Sequence, residues 1–333
     1  MMNVVQAIHG TGGKTSNEFI KRRFATHLKS QLLSPNDAAD IPHTPLCTLI
    51  TTDAHVVDPI IFPGGNIGKL AISGVINDLV TRGGKPRFIS MNFILEEGLL
   101  LSELDLVVES LAKVLSEHDI KLLCADTKVV PSKGKPGLMI SSTLLGSPIN
   151  HHFELQGAQE GDVIILSAPI GRHGLAILQA RAQLPFQTQF ESDCNSLYSM
   201  LEPLILENLK VNYMRDPTRG GLGGVLHELA EQFQLTVEIE EQKIPVQADV
   251  KAALSLLGID PLEVANEGVM VLVVPAHEAD KVLSKLKEHE LGQSACVIGK
   301  FLPKTGFSVT VRTAVGGRRV LPWPESLNLP RIC

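Results

Sequence analysis

Apolar and polar positions along the chain alternate between the period of a strand and the period of a helix. Leu46 to Thr52 has the make-up of a buried strand and ends in Asp53, while Asn66 to Arg82 repeats at helical spacing, with Asn66 as N-cap and Gly83-Gly84 as the stop. A strand is predicted over Arg87–Leu95. A helix follows over Ser102–His118, its apolar face made of Leu104, Val107, Val108, Leu111 and Leu115. Leu122 to Ala125 reads as a short strand running into Asp126, and Leu138 to Leu145 as another. The pattern then weakens, and Gly146 to His152 reads as linker. A second alternation begins with a strand over Asp162–Ser167, helices near 174–183 and 194–209, a helix over Gly220–Phe233 and a strand over Leu235–Ile239. It closes with a helix near 247–257, a strand over Val269–Val274, a helix at 276–288 and strands near 295–301 and 307–312. No fixed period recurs, which excludes a solenoid. The expected architecture is two mixed α/β domains.

Length agrees, since 333 residues exceed one ordinary domain. The formal charge of -6 and an aromatic content of 4% argue against a nucleic-acid partner, which calls for a basic face and stacking platforms. The N-terminus lacks the basic and apolar regions of a signal peptide. The longest uncharged stretch, Pro136 to Phe153, is too broken by Gly, Pro and polar residues to span a bilayer. The five cysteines are odd in number and contain no C-x-x-C, which reads as reduced thiols in a cytoplasm. Cys47, Cys124, Cys194 and Cys296 read as small apolar filler. The pair His151-His152 reads as linker, with no third ligand at helical spacing.

Candidate chemistry gathers where Gly-rich backbone meets a carboxylate. His9-Gly10-Thr11-Gly12-Gly13-Lys14-Thr15 is too short between glycines for a Walker A loop, and Pro63 to Leu70 misses its spacing and its hydroxyl. A P-loop NTPase is disfavoured, yet exposed backbone N–H groups, a lysine and a helix N-terminus near Asn66 remain suited to an anion. Asp53 and Asp126 each close a predicted strand. Lys69, Ser73 and Asn77 form a polar stripe on the helix after Asn66, with Asp78 on its flank. Polar groups in apolar surroundings need a ligand, a metal or each other. Several Asp around polyphosphate point to Mg²⁺. In the second half, Arg215-Asp216-Pro217-Thr218-Arg219-Gly220-Gly221 suits phosphate contacts or the positioning of the helix it opens. Glu267, within Ala265-Asn266-Glu267-Gly268, is a candidate general base. The tail from Arg318 carries Pro322, Pro324 and Pro330, which forbid a helix, and it reaches on the order of 50 Å when extended. Its last residue, Cys333, is either an incidental thiol or a thiol carried on a tether, and these residues leave both open.

These motifs in this order resemble the HypE family of hydrogenase maturation factors, carbamoyl dehydratases of the AIR-synthetase (PurM-like) ATP-binding superfamily. The resemblance covers essentially the whole chain. It rests on His9 to Lys14, Thr52-Asp53 with Val57-Asp58-Pro59, and Phe62 to Ala71. It also rests on Asn77-Asp78-Leu79, Asp126-Thr127-Lys128-Val129, Arg215 to Gly221, Ala265 to Gly268 and the terminal Pro330-Arg331-Ile332-Cys333. Two positions depart from it: Ala125 stands where a Gly is usual, and Arg172 where an acidic residue is common.

The resemblance implies an α/β (mixed α+β) fold with an N-terminal ATP-binding domain at 1–150 that pairs with its twin into a dimeric β-barrel. A C-terminal domain at 151–317 and an extended tail at 318–333 complete it. It implies that a carbamoyltransferase, HypF, loads a carbamoyl group on Cys333, that ATP phosphorylates its oxygen, and that proton removal with loss of phosphate leaves an S-cyanide. The cyanide passes to iron on a HypC–HypD scaffold. Gly10, Gly12, Gly13, Lys14, Asn66, Lys69, Asn77, Asp78, Thr127, Asp216 and Asn266 would hold ATP. Asp53, Asp78, Asp126 and Asp216 would hold Mg²⁺, Glu267 would be the base, and Lys128 would polarise the carbamoyl group or assist proton removal. Selenophosphate synthetase, which needs a Cys near the N-terminal loop, and AIR synthetase fit less well, since no Cys precedes Cys47 and neither uses a terminal one. A non-catalytic carrier switched by nucleotide is the alternative of another class.

Overall fold

The computed structural model describes residues 49–132, 134–182, 184 and 188–323, with Lys14, Thr15, Glu18, Ala39 and Asp40 besides. The helix predicted after Asn66 forms over Ile67–Val80 (α1). Asn66 is extended and its side-chain oxygen accepts from the N–H groups of Gly68 (2.9 Å) and Lys69 (3.1 Å), which satisfies two of the four N–H groups a helix start leaves orphaned. Leu70, Ile72, Val75, Ile76 and Leu79 are all fully buried, so α1 is apolar on nearly every side and runs through the middle of the molecule.

One face of α1 lies on a five-stranded sheet of order β1-β2-β7-β5-β6. Its strands are β1 (Ala39–Asp40), β2 (Leu49–Val56), β5 (Gly84–Glu96), β6 (Lys121–Val130) and β7 (Leu138–Pro148). A small hairpin, β3 (Ile61–Phe62) with β4 (Gly65–Asn66), leads into α1. β5 and β6 pair in parallel, which requires a crossover, and α2 (Leu101–Glu117) supplies it. Val107, Leu111, Val114 and Leu115 anchor α2, whereas Val108, expected on the apolar face, points to solvent.

A second sheet holds seven strands in the order β14-β13-β10-β12-β8-β11-β9. They are β8 (Val163–Leu166), β9 (Tyr213–Arg215), β10 (Thr236–Glu240), β11 (Val271–Val274), β12 (Cys296–Leu302), β13 (Val309–Arg312) and β14 (Arg318–Val320). Its helices are α3 (Arg172–Ala182), α4 (Tyr198–Leu206), α5 (Gly221–Phe233), α6 (Ala248–Leu257) and α7 (Ala279–Lys287). The fold is mixed α+β, with the two sheets parted between Pro148 and Val163. The apolar core does not part there: one cluster runs from α1 through Leu201 and Leu204 of α4 to Val282 and Leu286 of α7.

Four expectations change. β2 continues past Asp53 to Val56, and β6 continues past Asp126 to Val130, so neither Asp ends a strand. β6 is an outer strand exposed along nearly its whole length, and Cys124 on it is exposed rather than core filler. Cys194 is buried and Cys296 half-buried, and all three described cysteines are free thiols. The helix expected from 194 starts at Tyr198, because 192–197 is an extended strap. The tail expected from Arg318 begins as β14 on β13, with the Leu321 N–H donating to Val309 O (3.1 Å) and Leu321 buried. Trp323 stacks on His227 of α5, ring centres 5.3 Å apart and planes 4° from parallel. Pro324 to Cys333 lie outside the described residues.

Candidate active site

The strap at 192–197 ties the two sheets together. The Ser192 N–H donates to Pro63 O (2.8 Å), and Gly64 (φ +88°) packs so close that a Cβ there would lie 2.8 Å from the Ser192 backbone. Asn77 of α1 donates from Nδ2 to Asn195 O (3.1 Å) and accepts from the Leu197 N–H (2.7 Å). The Ser192 hydroxyl meets His173 Nδ1 (2.8 Å) and accepts from the Cys194 N–H (3.0 Å). From the other side comes the loop that carries Glu267. Its N–H donates to Asp193 Oδ1 (3.1 Å), and its carbonyl accepts from the Asn195 N–H (3.2 Å). Gly268 follows because nothing larger fits: a Cβ would sit 1.9 Å from Asp193 O.

Held this way, Glu267 is only 4% exposed. Burial pushes its carboxyl well above the usual range, and Asp216, Asp193 and Asp53 push in the same direction against Arg219. Asp193 is pushed up to about 6 by burial, opposed first by the Glu267 N–H. Its Oδ2 is buried without a hydrogen-bond partner, as is Ser73 Oγ on α1. Cys194 lies among Glu267, Lys69, Asp193 and Ser73, and burial holds its thiol firmly protonated. The site is therefore a cluster of carboxylates where α1 meets the C-terminal domain, with Lys69 and Arg219 close by. It combines acceptors for protons with cations for an anionic ligand.

The Arg215–Gly221 segment is fastened from below. Asn266, fully buried, accepts from the Gly171 N–H (2.7 Å) and donates to Pro217 O (3.1 Å) and Val264 O (2.8 Å). Gly221 (φ +60°) lies against the backbone of 262–264, where a Cβ would come within 2.6 Å of Leu262 O. Arg215 pairs with Glu228 of α5 (3.1 Å). On the sheet side, Asp53 accepts from the Ala54 N–H (2.7 Å) and lies 3.4 Å from Nε2 of His55. His55 is buried and pushed toward its neutral form by that burial, and it packs on Gly74 of α1, where a Cβ would be 2.7 Å from Nε2. Asp78 accepts from the Thr51 hydroxyl (3.3 Å).

The expected residues thus divide. Glu267, Asp53, Asp216 and Lys69 share one neighbourhood. Asn66, Asn77 and Asn266, expected on ATP, spend their amides on a helix cap, the strap and the loop base, so burial of these groups is met by backbone rather than ligand. Asp126, Thr127 and Lys128 sit on exposed β6, with Lys128 3.4 Å from Asp126. The Thr127 N–H and then Lys128 hold the Asp126 carboxyl below its usual range. β6 is three strand steps from β2, about 14 Å. In register, Asp53 aligns with Ser142, Met91 and Ala125, so Asp126 faces the opposite side of the sheet. The four expected magnesium ligands are therefore not gathered within one copy, and no group of three His, Cys, Asp or Glu able to hold a metal occurs among the described residues. Gly10, Gly12, Gly13 and Cys333 lie outside those residues, and Lys14 is exposed in helical backbone. Asp193, Arg219, Ser73, Cys194 and His55 join the site beyond those expected as ligands or catalysts. The signal for Asp193 was the polar run Ser192-Asp193-Cys194-Asn195-Ser196 ahead of an apolar helix.

No described helix is long and apolar enough to cross a membrane. The family described as "AIR synthase related protein, N-terminal domain" matches residues 35–147, and its C-terminal counterpart matches 159–312. A curated relative named "Carbamoyl dehydratase HypE", from Azotobacter vinelandii, is 38% identical over 331 residues, covering 99% of this chain and 97% of its own. Among solved structures, one described as a HypE-HypF complex superposes with a TM-score of 0.85 at 36% identity, over 92% of this chain and 99% of that one. Another, of the hydrogenase maturation protein HypE in complex with ATP, gives 0.80 at 38% identity over 98% of each.

Proposed function

The chain belongs to the AIR synthase related family, on its HypE branch, and from that premise we propose that it is an ATP-dependent carbamoyl dehydratase acting in hydrogenase maturation. The observation that carries the reading is Glu267: a buried, proton-seeking carboxylate fixed on both sides of its backbone among the carboxylates of Asp193, Asp53 and Asp216. Its substrate is the chain's own end. A carbamoyltransferase of the HypF kind loads the Cys333 thiol, and the carbamoyl oxygen takes the γ-phosphoryl group of ATP. Glu267 then removes a proton as phosphate leaves, so that an S-cyanide remains for an iron scaffold of the HypC–HypD kind. Lys69 and Arg219 meet the phosphates. Mg²⁺ binds most often through one or two carboxylates plus phosphate, and Asp53 and Asp216, both near Glu267, would supply them.

The homodimer belongs to this proposal. Among the described residues β6 has no strand on its outer edge, and Leu122, Leu123 and Val129 on it are exposed, a surface that chains normally cover. Asp126, Thr127 and Lys128 would then reach chemistry only across that interface. The proposed setting is a cytoplasm that keeps Cys333 reduced.

The test is mass spectrometry of the terminal peptide after incubation with carbamoyltransferase, carbamoyl phosphate and Mg-ATP. A carbamoyl adduct on Cys333 that loses water is expected. An adduct that persists unchanged would assign the chain as a carrier.

A further inference from the structure

We propose that Asp193 is a second proton acceptor of this site, and that Asp193 and Glu267 between them take the two N–H protons a carbamoyl group loses on becoming a nitrile. The inference rests on the dehydratase reading above.

The chemistry sets the requirement. In the first step the carbamoyl oxygen attacks the γ-phosphorus, the bond from phosphorus to ADP breaks, one N–H proton departs and a C=N bond forms. In the second step the remaining N–H proton departs, the C–O bond breaks, phosphate carries the oxygen away and C≡N is complete. Nothing is oxidised or reduced. Two protons leave one nitrogen, and two acceptors placed beside it serve both losses without waiting for solvent.

The geometry supplies the second acceptor. Asp193 and Glu267 are bound to each other through the Asp193 Oδ1 to Glu267 N–H bond of 3.1 Å, and the reciprocal Asn195 to Glu267 bond fixes their spacing. Gly268 lets the two backbones close to contact. Oδ2, the oxygen not used in this clasp, is shielded from water and has no partner among the described residues. A buried acceptor left without a donor is costly, and a carbamoyl N–H docked beside it removes that cost. The charged groups facing Asp193 are Glu267 and, opposing it, Arg172 from α3. Burial holds Asp193 near 6, where a carboxylate is both ionised and basic at neutral pH. Lys128 does not fill this role within one copy. It is exposed on β6 and paired to Asp126, and an ammonium donates protons rather than accepting them.

Two substitutions separate proton transfer from mere support. Asp193→Asn keeps an oxygen for the Glu267 N–H but accepts no proton. Asp193→Glu keeps the acceptor at the expense of packing. Each full-length chain is carbamoylated on Cys333 and followed for cyanide formation and phosphate release, with ATP affinity and the thermal transition measured alongside. Expected for Asp193→Asn is a loss of about 10²–10⁴-fold in cyanide formation, the range of a general base, with ATP binding kept. Asp193→Glu should be at least about tenfold faster than Asp193→Asn, within that same range. Support alone reverses the order, since the amide preserves the bond and the longer side chain crowds it. Turnover of Asp193→Asn near that of the parent chain, loss of its ATP binding or fold, or an inactive Asp193→Glu each overturns the proposal. A parent chain that makes no cyanide in the same assay instead removes the dehydratase reading itself.

Discussion

Acidification should lift Trp323 off the protein before the fold is lost. His227, the ring it stacks on, is buried, and the backbone carbonyls of Leu321 and Pro322 are the acceptors its ring lies near. Burial lowers its pKa from 6.5 to about 4, with the carbonyls of Leu321 and Pro322 pulling weakly the other way. A depressed histidine leaves the docked state unpenalised above pH 6.5. The cost of docking grows as pH falls and reaches about 3 kcal/mol below pH 4. The stack adds only about 0.5–1.5 kcal/mol beyond the area it covers, and Trp323 is itself only partly buried. Proton uptake therefore wins locally, and release is expected near pH 5, by about which point the accumulated cost passes the stack. Trp323 is the single tryptophan of the chain, so its emission reports on this contact alone. We expect a red shift between pH 6 and 4.5 while far-ultraviolet dichroism holds steady, and no such shift in His227→Phe. Emission that stays flat to pH 4, or an identical transition in His227→Phe, refutes the reasoning.

Four further outcomes follow from the site. Glu267→Gln should bind ATP as before yet form no cyanide on Cys333, read by mass spectrometry; undiminished cyanide removes Glu267 from the chemistry. Asp193→Asn should stabilise the chain at pH 7 by about 3 kcal/mol in urea unfolding, because the raised carboxyl resists ionising in the fold, and the gain should vanish as pH falls through 6 to 4. A gain that persists at pH 4 would mean another cause. Asn266→Leu should cost about 3–5 kcal/mol, since it strands the Gly171 N–H and the carbonyls of Pro217 and Val264 in the interior. Gly268→Ala should abolish ATP-dependent turnover, as its Cβ meets Asp193 O at 1.9 Å and parts strap from loop; retained turnover would show the clasp is dispensable.

The helix after Asn66 was legible because cap, period and Gly-Gly stop all agree over fourteen residues. Glu267 was legible for a local reason, an acidic residue caught between Asn and Gly just ahead of a buried strand. The full length of β6 was not: it is exposed on both faces, so burial imposes no alternation on its sequence. Asn77 reads as a ligand contact because a polar residue in apolar surroundings signals only that some partner exists, whereas Asn66 reads as a helix cap, and Asn66 and Asn266 are nucleotide contacts only through the family resemblance. In Asn66, Asn77 and Asn266 that partner is backbone, which a one-dimensional pattern cannot distinguish from a nucleotide. Asp193 escaped notice since its segment borders an apolar helix and was partly absorbed into it.

If Cys333 carries the substrate as proposed, the stack of Trp323 on α5 also sets how concentrated its sulfur can be. Cys333 follows Trp323 by ten residues, a length that at full stretch keeps its sulfur within about 35 Å of the stack. One thiol in a sphere of that radius amounts to roughly 10 mM, before the volume filled by the protein itself is subtracted. Diluting the protein a thousandfold leaves that figure unchanged, so encounter between sulfur and site is first order, and only loading and unloading by other proteins depend on abundance.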